Sequence, residues 1–427
     1  MVAALQARDF VFNVPCLLRA AGALRVDVLR DALQVVIERH EILRSRFVRS
    51  GEALFQEPAV SVEIVVPLTD VSDAPVPLEA ALTEIAVDCR LPFELGQVPR
   101  LRTNVFRLAE TDHIVSIIVD HLAVDGASLG IVMGELRCLY QAIDAGTPHG
   151  FSGPAPQYRD FALGQRAWLQ GAEAAAQRAY WRDHLADLPS LGEDRSAPVL
   201  HETVEFALAA ETTASLASLC VRHKVTPFMA LLAVYAPLLA AATGQWDLVV
   251  GTVRANRRHS LAEGTVGHCA NLIPLRLSID PDGSWRRLFS CVGEICRAGS
   301  AREALPFAEI ATVAWAQRGL RGARLTEFTI NFIPFPGGPV SWGDGLSMAQ
   351  LWGLLVQELP ATSRASLFVR QQGAELGGTL LFDPGSIDRA WARALPERLA
   401  CVIARAASAP DRSVGETVSS DSSEQEG

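Results

Sequence analysis

Residues 114–128 read IVSIIVDHLAVDGAS, and this stretch decides how the chain is organised. It opens with a nearly continuous apolar run, which is typical of a strand covered on both faces. The chain then changes abruptly to polar and small side chains, and apolar residues recur at helical spacing over 128–140. The stretch therefore predicts a buried strand, a tight turn that Gly126 permits, and a helix capped by Asp125 or Ser128.

Strands and helices alternate on both sides of this stretch. Apolar and β-branched runs predict strands at 60–66, 101–108 and 203–208. Apolar residues at helical spacing predict amphipathic helices at 27–44 and 386–407. The fold class is therefore α/β, in an α+β two-layer arrangement.

Two connections rich in Gly and Pro, at 145–156 and 190–198, divide the chain. Both sides mix a few long strands with amphipathic helices, as expected for two layered halves of similar size. We expect an N-terminal half at 1–165, a C-terminal half at 166–412 and a disordered acidic tail at 413–427.

Composition excludes several classes of protein. Apolar residues make up 49% of the chain and charged residues 20%, which is the balance of a folded protein. The 38 Lys and Arg against 48 Asp and Glu give a net charge of −10, and no basic stripe marks a phosphate-backbone binder. The longest apolar stretch, 228–242, contains Pro237 and is shorter than the roughly 20 residues that cross a bilayer. We expect a cytoplasmic protein without nucleic-acid or membrane partners.

The turn after the buried strand carries the residue best suited to chemistry. A neutral imidazole at His121 can accept a proton from an attacking amine or hydroxyl. The start of the following helix adds a partial positive charge that stabilises a developing anion. The residues of this turn, taken alone, favour a histidine beside a capping aspartate with no chemistry.

Competing chemistries lack their motifs. The chain has no phosphate-binding loop with Gly-Lys-Ser or Gly-Lys-Thr and no His-Glu-x-x-His. The eight cysteines show no Cys-x-x-Cys spacing, so we expect reduced core residues and no metal site.

An ordered series of motifs resembles the condensation domains of nonribosomal peptide synthetases. The core motif of that family is His-His-x-x-x-Asp-Gly, and residues 120–126 read DHLAVDG, with Asp120 in place of the first His. The other matching segments are RHEILRSRF at 39–47, YRDFA at 158–162, YWR at 180–182, VGTVRANR at 250–257, VGHCANLIPLR at 266–276 and LPF at 305–307. The resemblance covers roughly residues 12–412.

The resemblance implies two chloramphenicol-acetyltransferase-like halves that form a V-shaped pseudo-dimer around a central tunnel. Donor and acceptor carrier proteins, peptidyl or acyl, dock at opposite mouths and present substrates on their phosphopantetheine arms. The domain transfers the acyl or peptidyl group of the donor thioester to the amine, or the hydroxyl, of the acceptor. It binds no cofactor itself, needs no metal and acts as a monomer.

The resemblance also assigns roles to individual residues. His121 is the active-site residue, within a motif that includes Gly126. The motif aspartate, Asp125, turns away from the substrate and pairs with Arg257. Asn271 matches a position that lines the tunnel, and Ser128 is expected there as well.

Asp120 is a departure from the family pattern. A carboxylate beside His121 can orient the imidazole or raise its pKa, or it can hydrogen-bond locally at the end of the strand. We favour the local role.

Two other functions stay open at this point. Asp120, Asp125 and Ser128 also fit Asp-x-x-x-x-Asp-x-x-Ser, the signature of heterocyclisation domains. Loss of the first motif His, and a short segment before Phe12, are compatible with a degenerate domain that recruits partner enzymes to a carrier protein. The starting Met and the lack of adenylation or carrier motifs fit a free-standing enzyme, and an excised domain is the alternative.

Overall fold

The computed structural model of the 427-residue chain describes residues 13–51, 53–151, 153–188, 201–257, 262–318, 325–334, 338–351, 363–373 and 375–419. The strands are β1 (Asn13–Ala21), β2 (Ser45–Ser50), β3 (Ala53–Pro58), β4 (Leu68–Asp70), β5 (Leu101–Ala109), β6 (Asp112–Asp120), β7 (Glu202–Leu208), β8 (Asp247–Arg254), β9 (Asn271–Ser278), β10 (Phe328–Pro334), β11 (Val340–Gly343), β12 (Leu346–Leu351), β13 (Ala365–Gln372) and β14 (Glu375–Phe382). The helices are α1 (Val26–Arg39), α2 (Pro77–Arg90), α3 (Gly126–Asp144), α4 (Tyr158–Trp168), α5 (Ala172–His184), α6 (Ala210–His223), α7 (Pro227–Thr243), α8 (Trp285–Ser300), α9 (Phe307–Arg318), α10 (Arg389–Arg393), α11 (Leu395–Ser408) and α12 (Val414–Ser419). A 3₁₀ helix, Glu41–Arg44, follows α1.

The chain folds into two compact units. The described residues of the first unit come from Met1–Trp168, Ala255–Ala270 and Gly337–Pro360. Those of the second come from Leu169–Arg254, Asn271–Pro336 and Ala361–Gly427. Two segments of the half expected at 166–412 therefore belong to the first unit, because their contacts are with residues far earlier in the chain.

The first unit is built on a six-stranded sheet in the order β11-β12-β1-β6-β5-β4. Neighbouring strands are antiparallel except β4 and β5, which are parallel. The side chains of β6 alternate between two cores. Val115, Ile117 and Val119 pack with α1 and α3, whereas Ile114 and Ile118 pack with α2. The prediction of a strand covered on both faces is confirmed.

The second unit has its own six-stranded sheet, in the order β7-β14-β13-β10-β8-β9. β10 is parallel to β13 and β8, and the other neighbours are antiparallel. The apolar run that α7 carries is buried on all sides from Ala230 to Ala240, so it is a core helix. No single helix in the described ranges is long and apolar enough to span a bilayer. Within the same described ranges, α6 and α7 reach that length and composition as a pair, bent by 105°.

Residues 60–66 do not form the predicted strand. The strands of this region are β2 and β3, which pair as a hairpin. The side-chain amide of Gln34 in α1 donates to the Val62 carbonyl and accepts from the Ile64 N–H. Ile64 is buried, while Val60 is fully exposed. A helix side chain has therefore taken the hydrogen bonds that a neighbouring strand provides in a sheet.

The helix predicted at 386–407 is two helices, α10 and α11. They are separated at Ala394, and a proline stands at the start of α11. Proline is compatible with the first turn of a helix but not with its interior, so the chain restarts the helix at this point.

The tail expected from residue 413 is folded in its first part. Val414 and Val418 of α12 are buried. The indole Nε1 of Trp285, at the start of α8, donates to Thr417 Oγ1 at 3.0 Å. The apolar positions of α12 thus find a partner elsewhere in the second unit, which local composition does not reveal. Residues 420–427 lie outside the described residues.

The eight cysteines, all within the described residues, form no disulfide. Cys16, Cys89, Cys269 and Cys296 are buried, as expected. The expectation of core residues is wrong for Cys138 and Cys291, which lie on exposed helix faces. Among the described residues, no group of three or more His, Cys, Asp or Glu side chains is placed to hold a metal ion.

Candidate active site

The turn between β6 and α3 carries the motif residues. β6 ends at Asp120 and α3 begins at Gly126. Asp125 is the N-cap of α3, and its side chain accepts from the Ser128 N–H at 2.8 Å. The predicted capping role of Asp125 is confirmed, and the cap fixes the direction in which α3 leaves the turn.

The Asp125 carboxylate joins this turn to a distant segment of the first unit. Its Oδ1 accepts from Arg257 Nη2 at 2.8 Å and lies 2.7 Å from Ser128 Oγ. Its Oδ2 accepts from the N–H groups of Cys269 and Ala270 at 3.0 and 2.8 Å. The ion pair with Arg257 that the resemblance implied is present. Asp125 is 1% exposed. A carboxylate this buried is stable here because Arg257 compensates its charge and both oxygens accept hydrogen bonds.

Ser128 is a bridge in the interior and does not line an open path. It is completely buried, and its single O–H lies between two acceptors at 2.7 Å, the Gly267 carbonyl and Asp125 Oδ1. Its Oγ accepts from the Gly267 N–H at 3.0 Å. Arg257 Nη2 also donates to this oxygen at 2.8 Å. Its expected place in a substrate tunnel is therefore corrected: the hydroxyl is used up in holding α3 to the segment around Gly267.

Gly126 does not serve a strained turn. It is exposed, its backbone conformation is helical, and a Cβ at this position meets no atom within 4 Å. The conformational freedom that was expected of Gly126 in a tight turn is therefore not used, because the residue is the first of α3. Its lack of a side chain leaves open space at the start of α3.

His121 is held in one tautomer by its local hydrogen bond. Its Nδ1 lies 2.7 Å from the Val124 carbonyl oxygen. Because a carbonyl oxygen only accepts, Nδ1 carries the proton, and the neutral ring keeps its lone pair on Nε2. The side chain is half-buried. The turn therefore presents a proton acceptor of defined orientation.

His268 lies against His121, a neighbour that the sequence motifs did not single out. The two ring centroids are 4.8 Å apart and the rings meet edge to face at 67°. His268 Nδ1 is 3.0 Å from the His121 carbonyl oxygen and 3.3 Å from His121 Nδ1. Burial and, to a smaller extent, the nearby His121 together lower the pKa of His268 to about 4. The segment 266–276 carried the family resemblance, but nothing within it marked this residue.

Asp120 takes the local role that we favoured. Its Oδ1 accepts from the Leu122 N–H at 3.0 Å, and its Oδ2 pairs with the guanidinium of Arg100. Arg100 is completely buried and also donates to the carbonyls of Glu94 and Gln97 at 2.6 and 2.9 Å. Sequence reasoning missed Arg100, since it stands just before β5 with no motif around it.

Asn271 lies in the second unit at the start of β9. Its Nδ2 donates to the carbonyls of Glu303 and Leu305 at 2.9 and 2.7 Å, and its Oδ1 accepts from the Phe307 N–H at 2.8 Å. The amide braces the segment that carries Leu305 and Phe307. That it also lines a substrate path stays a prediction.

Comparisons with known proteins agree with this fold and this motif. The sequence profile of the condensation domain matches residues 1–348. Phosphinothricin tripeptide synthetase PhsC of Streptomyces viridochromogenes is 31% identical over 415 residues, which is 94% of this chain and 37% of PhsC. The chain thus spans little more than a third of that relative.

Solved structures share the fold at low identity. The first condensation domain of the calcium-dependent antibiotic synthetase, in complex with a substrate analogue, is 22% identical, with a TM-score of 0.81, and the match covers 97% of this chain and 95% of that domain. The X-domain in complex with OxyB from teicoplanin biosynthesis is 22% identical, with a TM-score of 0.80. That match covers 96% of this chain and 91% of the X-domain chain. The chain belongs to the condensation-domain family, and the resemblance read from its motifs is confirmed.

Proposed function

We propose that this chain is a condensing acyltransferase of nonribosomal peptide, or hybrid polyketide, biosynthesis. Its substrates are an acyl or peptidyl thioester on the phosphopantetheine arm of a donor carrier protein and an amine or hydroxyl acceptor, often carrier-bound. The observation that carries the proposal is the state of His121. Its Nδ1–H is committed to Val124, and its Nε2 is the motif's proton acceptor.

The reaction needs little beyond positioning and one proton transfer, because a thioester is already activated. The acceptor nitrogen or oxygen attacks the carbonyl carbon, so that a C–N or C–O bond forms and the C–S bond breaks. The proton of the attacking group passes to His121 Nε2 and then to the departing thiolate sulfur. Asp125 and Arg257 hold the turn and take no part in the proton transfer, since their bonds to each other and to the backbone are already made.

The experiment is intact-protein mass spectrometry of an acyl-loaded donor carrier incubated with an amine or hydroxy acceptor. We expect the wild type to transfer the acyl group and His121→Ala to lose transfer. His149→Ala is the matched control, because His149 is exposed and lies outside the turn. Equal transfer by wild type and His121→Ala contradicts the role of His121 while leaving the family assignment intact.

A second candidate is a domain without catalysis that recruits a partner enzyme to a carrier protein. The structural likeness to the X-domain that was solved in complex with OxyB favours it, as does Asp120 in place of the first motif His. In the same experiment this candidate predicts no transfer with any substrate pair, together with measurable binding of a carrier or a partner enzyme.

Heterocyclisation is the weaker alternative. That signature needs Asp120, Asp125 and Ser128 to serve the substrate, but all three are buried in bonds to Arg100, Arg257 and the backbone. A product lighter by one water than the simple condensation product, formed with a Cys, Ser or Thr acceptor, is the outcome that favours it.

A further inference from the structure

The position of His268 is built into the first unit by the same bonds that cap α3. Its two chain neighbours are both bonded to that cap, Gly267 to Ser128 and Cys269 to Asp125. Its own carbonyl accepts from Tyr158 Oη at 3.2 Å. A Cβ at Gly267 lies only 2.1 Å from the Tyr158 ring, so the backbone approaches as closely as it does because residue 267 is glycine. The segment is thereby fixed against the turn of His121.

The contacts assign the proton positions of both rings. His121 Nδ1 donates to Val124, and His268 Nδ1 donates to the His121 carbonyl, because both acceptors are carbonyl oxygens. The two Nδ1 atoms are 3.3 Å apart, and neither accepts a hydrogen bond from the other. The Nδ1–H of His268 thus holds the main-chain carbonyl of His121, and the His268 ring packs against the His121 imidazole.

The charge state of His268 is consistent with this arrangement. Burial lowers the pKa of His268 to about 4, so its ring is neutral at pH 7, where His121 would accept a proton from the acceptor substrate. The titratable groups that face it are His121, Asp125 with its partner Arg257, Cys269 and Tyr158. Burial raises the pKa of Cys269 to about 12 and also raises that of Tyr158, so both stay neutral.

We infer that His268 is a positioning residue for His121, which fixes the backbone and the ring of His121 so that the lone pair of Nε2 stays turned toward the reacting groups. This inference rests on the proposed function for its catalytic consequence, but its structural part stands by itself. Asp120 replaces the first motif His, and a second imidazole beside His121 comes instead from His268, 147 residues further along the chain.

The test compares three substitutions. His268→Asn keeps an N–H donor at the place of Nδ1, His268→Phe keeps a ring without a donor, and His268→Ala keeps neither. We expect kcat to fall about 10- to 100-fold in the Phe and Ala variants, with little change in acceptor KM, because the misplaced base affects the transition state more than binding. The Asn variant should recover most of the lost rate.

A readout that does not need activity accompanies the kinetics. ¹⁵N NMR of histidine-labelled protein, assigned with His121→Ala, reports which ring nitrogen of His121 carries the proton. We expect Nδ1–H in wild type and in His268→Asn, and a mixture of tautomers in His268→Phe and His268→Ala. Unchanged kcat and an unchanged His121 tautomer in folded His268→Phe overturn the inference. If the wild type transfers nothing, the proposed function fails, and the NMR result still decides the role of His268.

Discussion

Asp125 and His121 stand four residues apart and have opposite relations to their surroundings. The Asp125 carboxylate accepts from Arg257 and from three backbone N–H groups, and the residue is closed to solvent. His121 is half-buried and uses one ring nitrogen for the backbone. The turn therefore separates a group that holds the structure from a group that is free to exchange a proton.

The open space at Gly126 leads to a prediction about substrate access. Gly126→Ala should fold with unchanged or slightly higher stability, by up to about 1 kcal/mol, because the backbone is helical and no atom is displaced. Gly126→Phe should also fold but should reduce acyl transfer strongly, since the ring occupies the open space at the start of α3, five residues after His121. Thermal unfolding and the carrier transfer assay measure the two effects.

Gly134→Phe is the matched control for this prediction. Gly134 is exposed on the same helix, a Cβ there also meets nothing within 4 Å, and it lies about 12 Å further along the axis. Full transfer by Gly126→Phe, or equal loss by Gly134→Phe, contradicts a special role for the space at Gly126.

The depressed pKa of His268 predicts a pH dependence of stability. The folded pKa of about 4 lies below the ordinary value of 6.5, so the unfolded chain binds more protons in between. Stability therefore rises with pH across this window and is lost as pH falls from about 6.5 toward 4. His268→Asn should remove on the order of 1–3 kcal/mol of that loss.

Urea unfolding of wild type and His268→Asn at pH 5 and pH 7 measures this effect. His113, His184 and His223, whose pKa values burial also lowers, remain in both proteins, so the difference isolates His268. If the urea midpoints of wild type and His268→Asn shift equally between pH 5 and pH 7, the low pKa of His268 does not contribute to stability.

At the scale of elements, Asp120 and Arg100 fasten the end of β6 to the chain that enters β5. The backbone contributes as well, since the Arg100 N–H donates to the Leu43 carbonyl and the Asp120 N–H to the Arg100 carbonyl, at 2.7 and 3.0 Å. Three stretches of the first unit thus meet at one buried ion pair. The replacement of the first motif His by aspartate is accommodated by a buried cation at this position.

This brace predicts strong coupling between the two residues. Arg100→Leu should destabilise the protein by about 3–5 kcal/mol, because it leaves the Asp120 carboxylate buried without its partner. The double variant Asp120→Asn with Arg100→Leu should be more stable than Arg100→Leu alone. A double-mutant cycle from chemical denaturation checks this, and simple additivity of the two substitutions refutes the coupling.

At the scale of the whole molecule, the sequence predicted what is local and missed what is long-range. The two-faced burial of β6 follows from its own apolar run. The pairing of β1 with β12 joins residues such as Leu17 and Leu351, and no local pattern names such a partner. In the site, the ion pair of Asp125 with Arg257 came from the family motif. Arg100 and His268 escaped because their importance depends on the contacts they make after folding.

The C-terminal correction gives a prediction for the full chain. The protein that lacks residues 420–427, which lie outside the described part of the chain, serves as the reference. Removing 413–427 should lower the free energy of unfolding by about 3 kcal/mol. The deletion exposes the residues that pack against Val414 and Val418, and it removes the hydrogen bond from Trp285 to Thr417. Calorimetry of the two truncated proteins distinguishes them, and equal melting contradicts a structural role for α12.

The assembly of the first unit from three separate stretches has a consequence for how the protein is made. A ribosome releases Met1–Trp168 long before the strands β11 and β12 that complete its sheet, and before Arg257 that neutralises Asp125. During synthesis at roughly 5–20 residues per second, the nascent first unit therefore waits for later segments with one sheet edge unpaired and one carboxylate uncompensated. Its completion is tied to the emergence of most of the second unit, so the two units finish folding nearly together although one begins far earlier.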